Sequence, residues 1–225
     1  MLPEATSSFE IVEGQRPDFL KSGPLSPLQQ VSLFIDKGFH DALDEHSFDY
    51  LGDFEQAMLD AQDAEEIDGT FIAIVESRLS FLKQAELLGF MVDPSLIQSP
   101  KHYPEQKPYT VRLQLIHQGH PYMQRGLTPR KITDILSQTM RPATAFEGIA
   151  ASFFLEDDMF FHTVGGEFYA ALNLTNGNPQ THTIVFDQFL GRKRVMQAKR
   201  NEFDGLVGYL AAFQQSSRRN DRIQQ

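Results

Sequence analysis

The stretch PSLIQSPKHYPEQKPYTVRLQLIH, residues 94–117, holds the change of pattern on which the fold turns. Its first part carries Pro94, Pro100, Pro104 and Pro108. Proline fixes φ and removes a backbone donor, so prolines at that density continue neither a helix nor a central strand. From Tyr109 the period becomes two: Val111, Leu113 and Leu115 alternate with Arg112, Gln114 and Ile116, which predicts a half-buried strand over 109–117. Upstream the apolar spacing is three and four. Residues 93–108 therefore read as a Pro-rich linker between an acidic helical unit over 25–92 and an α+β domain over 109–216, with an irregular arm at 1–24 and a polar tail at 217–225.

Three helices are predicted before the linker. Ser26 is placed to cap the first, Pro27 suits its first position, and Gln29 three residues after the cap completes a capping box ahead of Leu28, Val31, Ile35 and Phe39. Asp53 and Gln56 repeat the arrangement for a second helix through about Glu65. The third runs from Thr70 to Leu88 on Phe71, Val75, Leu79, Leu82 and Ala85, closed by Gly89 and Phe90 as a glycine cap with its apolar contact.

Beyond the linker, Thr128 and Pro129 open a helix that Pro142 ends. Segments 149–155, 159–164, 167–174 and 181–189 follow, joined by Glu156-Asp157-Asp158, Gly165-Gly166 and Asn176-Gly177, so an antiparallel meander is expected. Residues 192–198 read as one more strand. A closing helix on Phe203, Leu206, Leu210 and Phe213 is capped by Asn201, and 143–152 fits helix or strand. The fold class is α+β: a three-helix unit, then an antiparallel sheet of about five strands with two helices on one face.

Composition narrows the function classes. With 225 residues, 41 % hydrophobic and 22 % charged, the chain has the make-up of a globular protein. It has no cysteine, which excludes disulfides, thiol nucleophiles and thiolate metal sites. No apolar run reaches the roughly 18 residues of a membrane span, and no secretory signal opens the chain, so a cytoplasmic protein, or one delivered from the cytoplasm by another route, is expected. Neither a phosphate-binding glycine loop nor a nucleophile elbow is present. Gly165-Gly166-Glu167-Phe168 is similar over four residues to the glycine turn of diguanylate cyclases, but that family carries two acidic residues where this chain has Glu167 alone, and a hairpin turn accounts for the same letters.

Charge is divided along the chain. Residues 1–100 hold 19 acidic and 5 basic side chains, and residues 101–225 hold 11 and 15. Asp36, Asp41, Asp44, Glu45, Asp49, Asp53, Glu55, Asp60, Asp63, Glu65, Glu66 and Asp68 share their stretch with Lys37 as sole cation. Such a face steers a basic partner, with Asp60, Asp63, Glu65 and Glu66 as the expected contacts. Arg192, Lys193 and Arg194, with Lys199 and Arg200, form the dense basic cluster, which suits docking of the acidic helices, protection of an edge strand, or contact with single-stranded nucleic acid.

A metal or acid/base site can be drawn from His117 and His120, with Asp157, Asp158 and His162 supplying further groups if the hairpin lies beside that strand. Two imidazoles make half a zinc site, and no cofactor is required by the sequence. The leading expectation is a non-catalytic adaptor or chaperone-like module, a composition similar to that of bacterial secretion chaperones. It would receive a protein partner on its acidic helices or a sheet edge. An enzyme centred on His117, His120, Asp158 and His162 is the alternative, and a nucleic-acid binder through 192–200 a weaker one.

Overall fold

Ser26 caps the first helix as its sequence demands: its hydroxyl accepts from the Gln29 amide at 3.3 Å, and the Gln29 side chain accepts from the Ser26 amide at 2.8 Å. The computed structural model describes residues 25–65, 67, 69–94, 96, 100, 103–116, 136, 140–155, 161–163, 182–199 and 208–213, without the side chains of His162, His182, Ala198 and Lys199. Helix α1 (Pro27–Asp36) ends at Gly38, whose φ of 75° breaks the expected continuous run. Three short helices follow, α2 (Phe39–Ala42), α3 (Ser47–Asp53) and α4 (Glu55–Gln62).

The helix expected over 70–88 is corrected. Thr70–Val75 is strand β1, and only Phe81–Leu87 is helical, as α5. The sequence TFIAIV carries β-branched residues, and both its faces are buried. Phe71, Ala73 and Val75 join the main core while Ile74 joins Val31, Phe34, Phe39, Tyr50 and Phe54 under the helices. The end of α5 is as expected: Gly89 at φ 75° lets its amide reach Glu86 and the Phe90 amide reach Ala85, the double bond of a glycine cap.

β2 (Met91–Val92) and β3 (Tyr109–Ile116) flank the proline-rich segment. β4 (Met140–Pro142) precedes helix α6 (Ala145–Ala151), and β5 (Phe161–Thr163), β6 (His182–Phe189), β7 (Arg192–Lys199) and β8 (Gly208–Phe213) complete the described elements. They form one eight-stranded sheet in the order β1-β3-β8-β5-β6-β7-β2. β4 lies beside Ala211–Phe213 of β8, where β5 leaves off. Pairing is antiparallel except for β2 with β7 and β5 with β8. The class is α+β, and no described helix is long and apolar enough to cross a membrane.

Four further expectations change. The helical unit expected over 25–92 contributes β1 and β2 to the sheet, one at each edge. The five-strand sheet is larger, and mixed. The closing helix is replaced over 208–213 by β8, a strand with neighbours on both sides whose Tyr209, Leu210, Ala211 and Ala212 are all buried, so that no alternation marks it. Instead of the first meander strand there is α6, opened by a Thr144–Glu147 capping box. The helix expected after Thr128 and the segment 167–174 lie outside the described residues.

α6 is buried along its whole length and packs on β1 and β5. The helices α1 and α4 cover the other face of β1 and β3. There the Thr110 hydroxyl donates to the Ala57 carbonyl at 2.5 Å, and Arg112 donates to the Glu65 carbonyl at 2.6 Å.

Candidate functional site

At the end of β1 the chain turns through Glu76, Ser77 and Arg78, and the Gln84 side chain holds this turn by donating to the carbonyls of Glu76 and Leu79 at 2.9 and 3.0 Å. The Glu76 carboxylate is fully buried. It accepts from the Arg78 amide at 2.7 Å and from Nη2 at 2.8 Å. Nη1 of the same guanidinium reaches Glu45 at 3.2 Å and Asp53 at 2.5 Å, while its carbon stands 5.1 Å from the Tyr50 ring centre and 5.8 Å from that of Phe54. One cation thus joins α3, the loop after α2 and the end of β1.

Three carboxylates share that single guanidinium. Burial pushes the Glu45 carboxyl above its ordinary range against the pull of Arg78, and Asp53, Glu76 and Asp49 add to the rise. Burial, then the Glu76 carboxylate, also drives the Tyr50 phenol far above its usual value, so it does not ionise at any physiological pH. With Arg78 in the middle, the cluster is an ion-pair clamp. The described residues contain no group of three or more His, Asp or Glu able to hold a metal ion.

Outside the clamp the helical layer is acidic and poor in cations. Asp36, Asp41, Asp44, Asp49, Glu55, Asp63 and Glu65 are exposed, and Lys37 is the exposed Lys or Arg among residues 25–65. Among the described residues no lysine or arginine pairs with Asp36, Asp44, Asp49, Glu55 or Asp63. Phe48, on the first turn of α3, is 83 % exposed between Ser47 and Asp49, and Leu28 and Leu59 are also exposed on this layer.

Of the acidic residues expected to meet a partner, Asp63 and Glu65 are exposed, whereas Asp60 is half-buried and accepts from Gln56 at 2.7 Å. Glu66 lies outside the described residues. At the far end of the sheet Arg192 is exposed at the start of β7, and the Lys193 ammonium lies 6.0 Å from the Phe90 ring centre. Arg194 pairs with Asp187 and, at 3.4 Å, with Asp93, over the Phe189 ring. Its partners come from the sheet and the turn after β2, not from the acidic helices. Four strands separate β1 from β7, about 24 Å along the sheet at one strand spacing each.

His117, His120, Asp157 and Asp158 lie outside the described residues. His162 stands on β5 opposite Val185 of β6 and Tyr209 of β8. Sequence reasoning passed over Arg78, Glu76 and Phe48. The signals were present: a Glu-x-Arg at the end of a β-branched run, and a phenylalanine inside an acidic stretch. It also missed the buried Glu147 on α6, held by Arg141 and Tyr109. No family model, curated protein or solved structure matches the chain.

Proposed function

We propose that this protein is a non-catalytic binding module, an adaptor or chaperone-like protein, that recruits a basic protein partner through the outer face of α1–α4. The observation that carries the reading is Phe48, an exposed aromatic next to Asp49 on a layer where, among the described residues, Asp36, Asp44, Asp49, Glu55 and Asp63 pair with no lysine or arginine. Aromatic anchors ringed by one sign of charge suit association: the charge raises the encounter rate, and the ring supplies the desolvated contact. The helical face is favoured over a sheet edge because Gln30 of α1 occupies the β1 edge, and the edge strand at the other side, β2, is only two residues long.

The test is affinity capture from native extract at low salt, with bound proteins identified by mass spectrometry, comparing the chain with a D44K/D49K/D63K variant and with F48A. Loss of one discrete basic partner from both variants, with melting temperatures unchanged, supports recruitment. Equal capture by all three overturns it.

A further inference from the structure

β1 is the outermost strand on its side of the sheet, and such a strand presents unpaired backbone groups to any chain that can add to it. Its sequence TFIAIV has no charge and no proline over six β-forming or small residues, the composition that invites strand addition. Gln30 of α1 meets this edge. Its Nε2 donates to the Ile72 carbonyl at 3.1 Å, and its Oε1 accepts from the Ile74 amide at 2.8 Å. These are the two bonds that one residue of a parallel neighbouring strand makes about Ala73. Gln30 is 2 % exposed, and its Nε2 also donates to the Leu25 carbonyl at 3.3 Å.

We propose that Gln30 acts as a one-residue strand that plugs the β1 edge, and that the occupant it excludes is β1 of a second copy of this chain. Self-pairing is the chemistry this edge fits. Two copies of an uncharged six-residue strand pair antiparallel about a two-fold axis with no like charges opposed along the ladder. A helix side chain that satisfies Ile72 and Ile74 keeps the edge closed without adding a strand. Ile74 and Val31 are buried together in the core under the helices, so the plug and the helical layer stand or fall together.

The experiment compares the full-length chain with Gln30→Met, which keeps the volume and removes the amide, by residue-resolved hydrogen exchange and by light scattering across a hundredfold concentration range. The expected result is at least tenfold faster exchange at the Ile74 amide with Leu113, in the middle of β3, unchanged, together with concentration-dependent association. Unchanged exchange at Ile74 overturns the plug. An open Ile74 in a chain that stays monomeric throughout overturns the second copy as occupant. Should Gln30→Met unfold, Gln30→Glu decides: a protonated carboxyl can donate to Ile72 and accept from Ile74, so recovery of the fold and of the monomer on acidification, relative to the parent at the same pH, supports the proposal, and no recovery overturns it.

Discussion

Gly148 sits so close to Phe186 that a β-carbon added to the glycine would fall 2.4 Å from Cε2 of the ring and 2.7 Å from Cγ2 of Thr163. The missing side chain is what lets a fully buried helix lie directly on the sheet, and Phe186 in turn stacks on Phe161 at 4.8 Å and meets Phe81 and Phe90 edge-on. Gly148→Ala should therefore destabilise by about 1–3 kcal/mol, although alanine is the better helix former, because overpacking in a dense core outweighs a propensity gain of at most about 1 kcal/mol. Thermal or denaturant unfolding checks this. A second change, Phe186→Leu, should recover part of the loss, since the two sites are in contact and their effects do not add. A variant at least as stable as the parent would place α6 farther from the sheet.

Arg78 bears on a different balance. Removing it strands the buried Glu76 carboxylate, and breaking a buried pair from one side costs about 3–5 kcal/mol. Arg78→Met should lose stability on that scale. Replacing Glu76 and Arg78 together by methionine should lose less, because no buried charge is left alone. If both single and double variants lose equally, the Tyr50 and Phe54 stacking, not the ion pair, holds the clamp.

Glu45 carries a pH signature. Its carboxyl titrates above the ordinary 4.5 in the fold, so the folded chain holds that proton more tightly than the unfolded one. The stability this contributes is complete below 4.5 and is lost as pH rises through the folded value. Glu45→Gln should remove that decline, and at neutral pH it should cost no more than about 0.5 kcal/mol, because burial outweighs the attraction of Arg78. Stability measured against pH for both chains distinguishes this from a dominant Glu45–Arg78 pair, for which the parent would gain stability over the variant as pH rises.

The β6–β7 turn holds a small reserve. Leu190 and Gly191 form a two-residue loop with φ of 50° and 75°, and Leu190 is 86 % exposed. Bulky residues are strained there, whereas asparagine adopts this conformation readily. Leu190→Asn should gain about 0.5–1 kcal/mol and raise the melting temperature. A loss would mean that the leucine side chain packs in a way its exposure does not suggest.

What the sequence by itself determined is local. Ser26 with Pro27 and Gln29, and Gly89 with Phe90, mark helix ends because a cap is made by residues within a few positions of one another. The β3 and β6–β7 strands were legible too, by alternation in the first and by aromatic residues and the turn at Gly191 in the second. The same local logic was available at Thr144 and Glu147, where the capping box resolves 143–152 as a helix.

Burial on two sides was not legible. In β1 and β8 both faces are covered, so the period of two disappears, and spacings of three and four among apolar residues mimic a helix. Only the tertiary structure places Thr70–Val75 at a sheet edge beside Gln30, and brings Glu45, Asp53 and Glu76 around one arginine. Those neighbours lie 25 to 44 positions apart in the chain, apart from Glu76 itself. The acidity of residues 25–65 could be counted from the letters. Which carboxylates are committed to Arg78 and which face outward with Phe48 was decided by how four short helices pack on two strands, a matter of distance and burial that no local pattern encodes.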